Sequence, residues 1–138
     1  MILSWRRGGF CFLLAVLMTA GCGSREEGPP VAQVSGKVTY QKKPVSFGMI
    51  WFTPKEKGLL PARGILQSNG TYQLEIAEKG IRGAYVGDYE IWLDTQFVSE
   101  DGPPTPSLLP KKYDSPESSG LTATVEARKK NHFDFTLE

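Results

Sequence analysis

Short runs of alternating apolar and polar residues, separated by turns rich in glycine and proline, constrain the fold of this chain most strongly. Fifteen glycines and ten prolines keep each run short, and no stretch beyond the N-terminal apolar segment repeats apolar residues at helical spacing. We predict seven strands, at 33–40, 46–54, the two arms of 62–76, 86–94, 121–127 and 132–138. This pattern of short strands separated by turns predicts an all-β sandwich with Greek-key connections.

The run 86–94 shows how the strand faces are assigned. Alternation places its apolar residues on one face, expected to be the core face: Tyr89, Ile91 and Leu93. Trp92 then lies on the opposite face, outside the core between the sheets, and is expected to be partly buried under the segment that follows. In the run 46–54 both faces are apolar, with Trp51 and Phe52 pointing in opposite directions.

Asn69-Gly70 is the strongest local turn signal in the chain. It separates two extended runs, and Asn-Gly suits a two-residue type I′ turn because both central residues need positive φ. We therefore predict a tight hairpin at this position.

Residues 96–120 form a long connection that is expected to be irregular. Five prolines in this segment prevent regular strand pairing over most of its length. Because long structureless loops are uncommon in compact domains, we expect Leu108, Leu109 and Tyr113 to hold the segment against the sandwich. Residues 128–131 are predicted to be the solvated tip between the last two strands.

The first residues of the chain have the parts of an export signal. Arg6 and Arg7 supply positive charge, residues 10–20 are apolar except for Thr19, and a small pair, Ala20-Gly21, precedes a cleavage point. The apolar run is shorter than the roughly 20 residues that a membrane-spanning helix needs. We predict a signal peptide over residues 1–21, with the general secretory route favoured over the twin-arginine route.

Cys22 follows the small pair immediately. Ala20-Gly21-Cys22 resembles the lipobox of bacterial lipoproteins, in which the thiol receives a diacylglyceryl group and becomes the first residue of the mature chain. The resemblance implies a lipid anchor on Cys22, carrying fatty acids such as palmitate, and export to the periplasmic or cell-surface side of a membrane. Gly23 after the cysteine favours the outer membrane. Residues 22–32 are then a flexible tether.

Composition sets further bounds on the mature chain. Cleavage before Cys22 leaves fourteen basic and fifteen acidic side chains, which gives no indication of a nucleic-acid partner. The second cysteine, Cys11, lies inside the signal peptide, so we expect the domain at 33–138 to hold together without a disulfide.

Several motifs in this domain are similar to those of known families. SGKVTYQKKPVSFGMIWFTP, SNGTYQL and GDYEIWL resemble strands of carboxypeptidase regulatory-like domains, and the C-terminal P-x-K-Y, S-G-L-T and F-x-F-x-L motifs resemble the ending of a group of small bacterial lipoproteins. The residues that carry the second match are Pro110, Lys112, Tyr113, Ser119, Gly120, Leu121, Thr122, Phe133, Phe135 and Leu137. The resemblance implies a seven-stranded transthyretin-like (prealbumin-like) sandwich and no chemistry, because in metallocarboxypeptidases this module holds none of the zinc ligands.

Catalytic and metal-binding residues are sparse. His132 is the one histidine, no nucleophile motif such as G-x-S-x-G is present, and the histidines and C-terminal Y-R-G-S of the hydroxyisourate-hydrolysing relative are missing. Asp88, Glu90 and Asp94 share a strand face, which is expected to be solvated because carboxylates along a flat strand do not enclose calcium. We predict no enzymatic activity, no metal and no cofactor.

Trp92 and Trp51 are the candidate binding residues. If the long connection covers them, they form a second small core. If they are exposed, they offer a surface for a carbohydrate or a peptide. We predict a non-catalytic, membrane-anchored lipoprotein of the cell envelope that serves as a structural or protein-interaction module, with an envelope protein or glycan as its possible partner. A carbohydrate- or peptide-binding module is the alternative.

Overall fold

The computed structural model describes residues 28–96 and 100–138. The predicted signal peptide, Cys11 and Cys22 lie outside these ranges, and no helix within them is long and apolar enough to span a bilayer. The strands are β1 Val31–Ala32, β2 Val34–Tyr40, β3 Lys43–Pro44, β4 Met49–Pro54, β5 Ala62–Ile65, β6 Thr71–Gln73, β7 Glu75–Ile76, β8 Ile81–Arg82, β9 Ala84–Tyr85, β10 Gly87–Asp94, β11 Leu121–Val125, β12 Asn131–His132 and β13 Phe135–Leu137. Two short helices, a 3-10 helix at Lys111–Asp114 and α1 at Pro116–Ser119, precede β11.

The larger sheet has six antiparallel strands in the order β11-β10-β4-β5-β7-β8. β10 is its longest strand and pairs with β4 from Tyr89 opposite Pro54 to Asp94 opposite Met49. The inward-facing residues of β10 are fully buried, as the alternation predicts. The all-β sandwich predicted from the sequence is confirmed.

The second sheet is built around β2. β3 and β6 pair with β2 in antiparallel orientation, whereas β12 and β13 run parallel to it. Between β12 and β13 the ladder is interrupted, and the Asp134 carboxylate accepts a hydrogen bond from the Lys37 backbone N–H at 2.9 Å. At this joint the Phe133 carbonyl presses against Gly36, where a Cβ would lie 1.8 Å from the carbonyl oxygen. Only glycine fits there.

Aromatic residues form the centre of the core between the sheets. Phe52, which is fully buried, has four other rings within 5.8–6.3 Å between centroids: Tyr72, Tyr89, Phe133 and Phe135. Each tyrosine donates its hydroxyl to a backbone carbonyl, so no buried hydroxyl of this pair lacks a partner. Burial raises the pKa of Tyr89 to about 12, and it raises the pKa of Tyr72 further, with the nearby Asp134 carboxylate adding to the effect.

The Asn69-Gly70 turn differs from its prediction. Gly70 has a φ of 79°, but Asn69 does not have a positive φ, so the turn is not type I′. The Gly70 N–H donates to the Gln67 carbonyl at 2.8 Å, and the flanking Gln67 N–H donates to the Thr71 carbonyl at 2.9 Å. This is a three-residue connection with glycine in the left-handed position. It leads from β5 in one sheet to β6 in the other, so the two arms are not a simple hairpin.

The limits of the fold also differ from the predictions. β1 pairs with β9, and the Pro30 carbonyl accepts a hydrogen bond from the Val86 N–H, so the tether predicted over residues 22–32 is too long at its C-terminal end. Residues 126–130 connect β11 and β12, which belong to different sheets, and are therefore not a hairpin tip. Arg128, Lys129 and Lys130 are exposed, as predicted, whereas Asn131 is buried.

The C-terminal half of the connection between β10 and β11 is fixed to the sandwich. Leu109 and Tyr113 are buried in the core, as predicted, and the Ser119 hydroxyl donates to the Ile91 carbonyl. Leu108 is 54% exposed, so the prediction for this residue is wrong. Leu108 precedes the 3-10 helix by only a few residues, and its neighbour Leu109 takes the buried position.

Candidate functional site

Trp51 and Trp92 are direct cross-strand neighbours on the outer face of the larger sheet. Their rings stack almost parallel, with centroids 5.5 Å apart and an interplanar angle of 8°. The Trp92 indole N–H donates to the Thr53 hydroxyl at 3.1 Å. Both indoles are half-buried outside the core, which confirms the predicted position of Trp92. The predicted cover of Trp92 by Leu109 and Tyr113 is wrong, because these residues of the long connection pack into the core. On the outer face, Trp51 stacks against Trp92 instead.

Arg63 extends this pair on the other side of Trp51. It lies directly across from Trp51 on β5, with its guanidinium carbon 5.8 Å from the centre of the Trp51 ring. This geometry is a cation–π contact. Within the described ranges, neither the Trp51 indole N–H nor the Arg63 Nε has a hydrogen-bond partner, although both are buried. The three side chains form what we call the tryptophan–arginine stack.

The stack determines what the outer face can bind. Sugars pack against the flat faces of aromatic rings, so an accessible ring face is needed. β4 lies between β5 and β10, and Arg63 and Trp92 therefore cover opposite faces of the Trp51 ring. Trp92 retains only the face turned away from Trp51. The arrangement therefore favours a structural role for Trp51 and limits any aromatic platform to one side of Trp92.

A groove of about 510 Å³ adjoins Arg63. It is lined by residues of β5 and β7 from the larger sheet and of β2, β6 and β12 from the second, and its polar wall includes Gln73 and His132. Ser35, His132 and Asp134 come together beside it: His132 Nδ1 is 3.4 Å from the Ser35 hydroxyl, and Nε2 is 3.0 Å from the Asp134 carboxylate.

Serine, histidine and aspartate are the residue types of a hydrolase triad, but their surroundings here differ from those of a catalytic site. The His132 and Asp134 side chains are 64% and 61% exposed, so water competes for every contact between them. Ser35 lies within a regular strand, whereas a nucleophilic serine is usually held on a sharp turn. The exposed, outward position of His132 agrees with its prediction as a solvated strand residue.

Two acidic side chains of β10 accept hydrogen bonds from nearby residues. Asp88 accepts a hydrogen bond from the Thr124 hydroxyl at 2.6 Å, and Asp94 accepts one from the Gln96 N–H at 3.1 Å. Among residues 28–96 and 100–138, no three histidine, cysteine or acidic side chains cluster as metal ligands.

A second, smaller cleft of about 300 Å³ lies where the chain enters the fold. Arg82 and Lys130 line it together with Gln33 and the buried Asn131. Asn131 fixes the connection 126–130, because its amide donates to the carbonyls of Glu126 and Lys129 and its oxygen accepts from the Glu126 N–H.

Sequence reasoning missed Arg63 and Asn131. Arg63 becomes important only through the register of β5 against β4, and Asn131 only through contacts across a connection between sheets. Alternation assigns faces but does not assign register, so no signal in the single sequence identifies either residue.

Comparisons with known proteins give similarity of fold at low identity. No family model and no curated protein matches the chain. Two solved structures resemble 80% of it. The major pilin subunit of Bacillus cereus does so with a TM-score of 0.48 and 13% identity, and a DUF3823 family protein from Parabacteroides merdae does so with a TM-score of 0.42 and 12% identity. The chain spans 30% and 46% of these two structures, respectively.

Proposed function

We propose that this chain is an exported lipoprotein, anchored through Cys22, whose β-sandwich is a non-catalytic structural or protein-interaction module of the cell envelope. The observation that carries the proposal is the cysteine placed directly after an apolar run and a small pair, Ala20-Gly21. In the carboxypeptidase regulatory-like domains that this sequence resembles, the sandwich supplies a rigid module beside other parts rather than the reacting groups.

The distance between anchor and fold supports the proposal. Among the residues that the structure describes, Pro30 is the first to form a backbone hydrogen bond with the sandwich, and it lies eight residues after Cys22. A fully extended chain of that length spans at most about 28 Å. A lipid on Cys22 would therefore hold the domain next to its membrane.

Fatty-acid labelling tests the anchor. We expect the full chain to incorporate labelled fatty acid and lose its signal peptide, and Cys22→Ser to remain as an unlabelled, uncleaved precursor. Cys11→Ser is the matched control, because it removes the other thiol and should label and mature normally. Labelled lipid on Cys22→Ser would refute the proposal.

Carbohydrate or peptide binding is the alternative, and Trp92 is the residue that tests it. Its free ring face is the part of the tryptophan–arginine stack that a ligand would contact. If Trp92→Ala is as stable as the parent and loses binding to envelope polysaccharide, the binding function replaces the structural one. A destabilised variant with no ligand in the parent supports the structural function.

A further inference from the structure

We infer that one end of the sandwich docks directly on a membrane surface of anionic phospholipids. The inference rests on the proposed anchor at Cys22. It adds an interaction surface on the folded domain, which the anchor alone does not require.

The end in question is the one at which the chain enters the fold. β2 and β12 begin at this end, since Asn131 at the start of β12 pairs with Val34 at the start of β2. β10 also begins here and β11 ends here, since Gly87 pairs with Val125. Pro30 belongs to this end through its hydrogen bond with Val86. We call it the basic end and define it by the connections 55–57, 77–82 and 126–130 together with β1.

Charge is distributed unevenly between the two ends. The described residues contain thirteen basic and thirteen acidic side chains in all. Seven basic side chains, all exposed, lie at the basic end against three acidic ones, Glu56, Glu78 and Glu126. Two further acidic residues adjoin it, Glu75 directly opposite Arg82 and Asp88, whose carbonyl accepts from the Lys55 N–H. The seven are Lys55, Lys57, Lys79, Arg82, Arg128, Lys129 and Lys130. The opposite end, which carries the 40–43 turn, the long connection and the C-terminal residue, has four basic and five acidic side chains, and Asp94 at the end of β10 adjoins it. The domain is therefore polarised, with its positive pole at the end where residues 28–31 enter the fold.

The most basic part of this end has a fixed backbone. Arg128 has a φ of 58°, and the buried Asn131 side chain bonds to Glu126 and Lys129 on either side of it. The same amide also reaches the Gln33 carbonyl at 3.3 Å, which ties the connection to the start of β2. Arg128 and Lys130 are therefore presented from a backbone held in place by Asn131, and Lys129 forms an ion pair with Glu126 in the same connection.

Apolar side chains accompany the charges. Val31 in β1 and Ile81 at the start of β8 are 37% and 40% exposed, and both lie at the basic end. Basic residues beside exposed aliphatic ones suit the interface of a bilayer, where cations meet lipid phosphates and apolar groups enter the headgroup boundary. With a lipid on Cys22, the short segment that follows would keep this end within reach of the membrane. Docking of the anchored domain would then be an intramolecular event.

Vesicle sedimentation tests the inference independently of the anchor. The chain from Cys22 to Glu138, which contains every residue of the described core, is used with its thiol blocked, so that no lipid attaches it. We expect binding to phosphatidylcholine vesicles that contain phosphatidylglycerol, no binding to phosphatidylcholine alone, and release by added salt. Arg128→Glu/Lys129→Glu/Lys130→Glu should weaken the binding by at least about tenfold.

The control variant, Lys42→Glu/Lys43→Glu/Lys111→Glu, reverses the same number of charges at the opposite end. It should bind vesicles like the parent within about twofold, because salt at 0.1 M screens charge effects beyond about 10 Å. Lys55→Glu/Lys57→Glu/Lys79→Glu is a second variant of the basic end, in case the first does not fold. Equal losses in the control, or equal binding to neutral vesicles, would overturn the inference. Failure of fatty-acid labelling would refute the anchor and leave this result standing on its own.

Discussion

Phe52 and Trp51 are neighbours in β4, and each is the centre of an aromatic cluster on its own face of the sheet. Phe52 is fully buried, and four rings pack around it at tilted or edge-on angles, two of them partly exposed at the rim of the core. Around Trp51, one indole stacks face to face and one guanidinium carbon lies 5.8 Å from the ring centre, and all three side chains are half-buried. The difference shows that one strand can serve two purposes. Its inner face holds the sheets together, and its outer face stiffens the strands against one another.

The largest effect is expected at the centre of the inner cluster. Phe52→Ala should lower the free energy of unfolding by about 3–5 kcal/mol, because it removes a buried ring and leaves a cavity that its neighbours cannot fill. Urea unfolding followed by circular dichroism measures this. Phe52→Leu, which keeps most of the volume, should cost much less, and a loss below about 1 kcal/mol for the alanine variant would contradict the assignment of Phe52 to the core centre.

The outer cluster should contribute less. Trp51→Ala is expected to cost about 2 kcal/mol, because the ring is only half-buried but covers Trp92 and Arg63. In a double-mutant cycle, Trp51 and Trp92 should show a coupling of about 0.5–1.5 kcal/mol from their stack. Ile65→Ala, on the same outer face but 61% exposed, is the control and should be nearly neutral. Independent effects of the two tryptophans would mean that the stack is not formed in solution.

Alkaline pH should weaken the inner cluster and leave the outer one unchanged. Tyr89 has its pKa raised to about 12, so above pH 10 the unfolded chain releases the proton while the folded chain retains it. Stability is therefore constant at neutral pH and falls between about pH 10 and 12, by up to about 1.4 kcal/mol per pH unit for each such tyrosine. Tyr89→Phe should reduce this slope, whereas Trp92→Phe should keep it. The same slope in all three proteins would contradict the burial of Tyr89.

The smallest expected effect is that of the cation in the outer cluster. Arg63→Met keeps an unbranched side chain over Trp51 and removes the charge, so the loss should be about 0.5–1 kcal/mol. Because the interaction is electrostatic, the difference from the parent should shrink as salt is added. A larger loss that salt does not change would indicate that packing of the stem, rather than the cation–π contact, dominates at this position.

How far the sequence predicts this molecule depends on whether a feature is local. Alternation in β10 is local, and it correctly places Tyr89 and Trp92 on opposite faces. The pairing of Trp51 with Trp92 and of Arg63 with Trp51 depends on strand register, which alternation does not specify. Whether Leu108 or Leu109 enters the core depends on how the connection approaches the sheet, and adjacent residues give no basis for the choice.

The turns show the same limit. Asn69-Gly70 has the residues favoured for a type I′ turn, but the chain must cross between sheets there, and the backbone adopts a different turn with only Gly70 at positive φ. The two consecutive residues with positive φ are Gln41 and Lys42, between β2 and β3, where neither residue type favours that conformation. The β2–β3 pairing imposes the turn there in spite of local preference.

The parallel pairing of β2 with β12 and β13 has a consequence for the order in which the chain can fold. Lys37 finds its partner Asp134 ninety-seven residues later, and the Phe133 carbonyl must seat on Gly36 at the same joint. Contacts of such long range form slowly because most of the chain must be ordered first. During synthesis from the N-terminus, β2 is available long before β13. The second sheet therefore cannot be completed until nearly all of the described residues have been made.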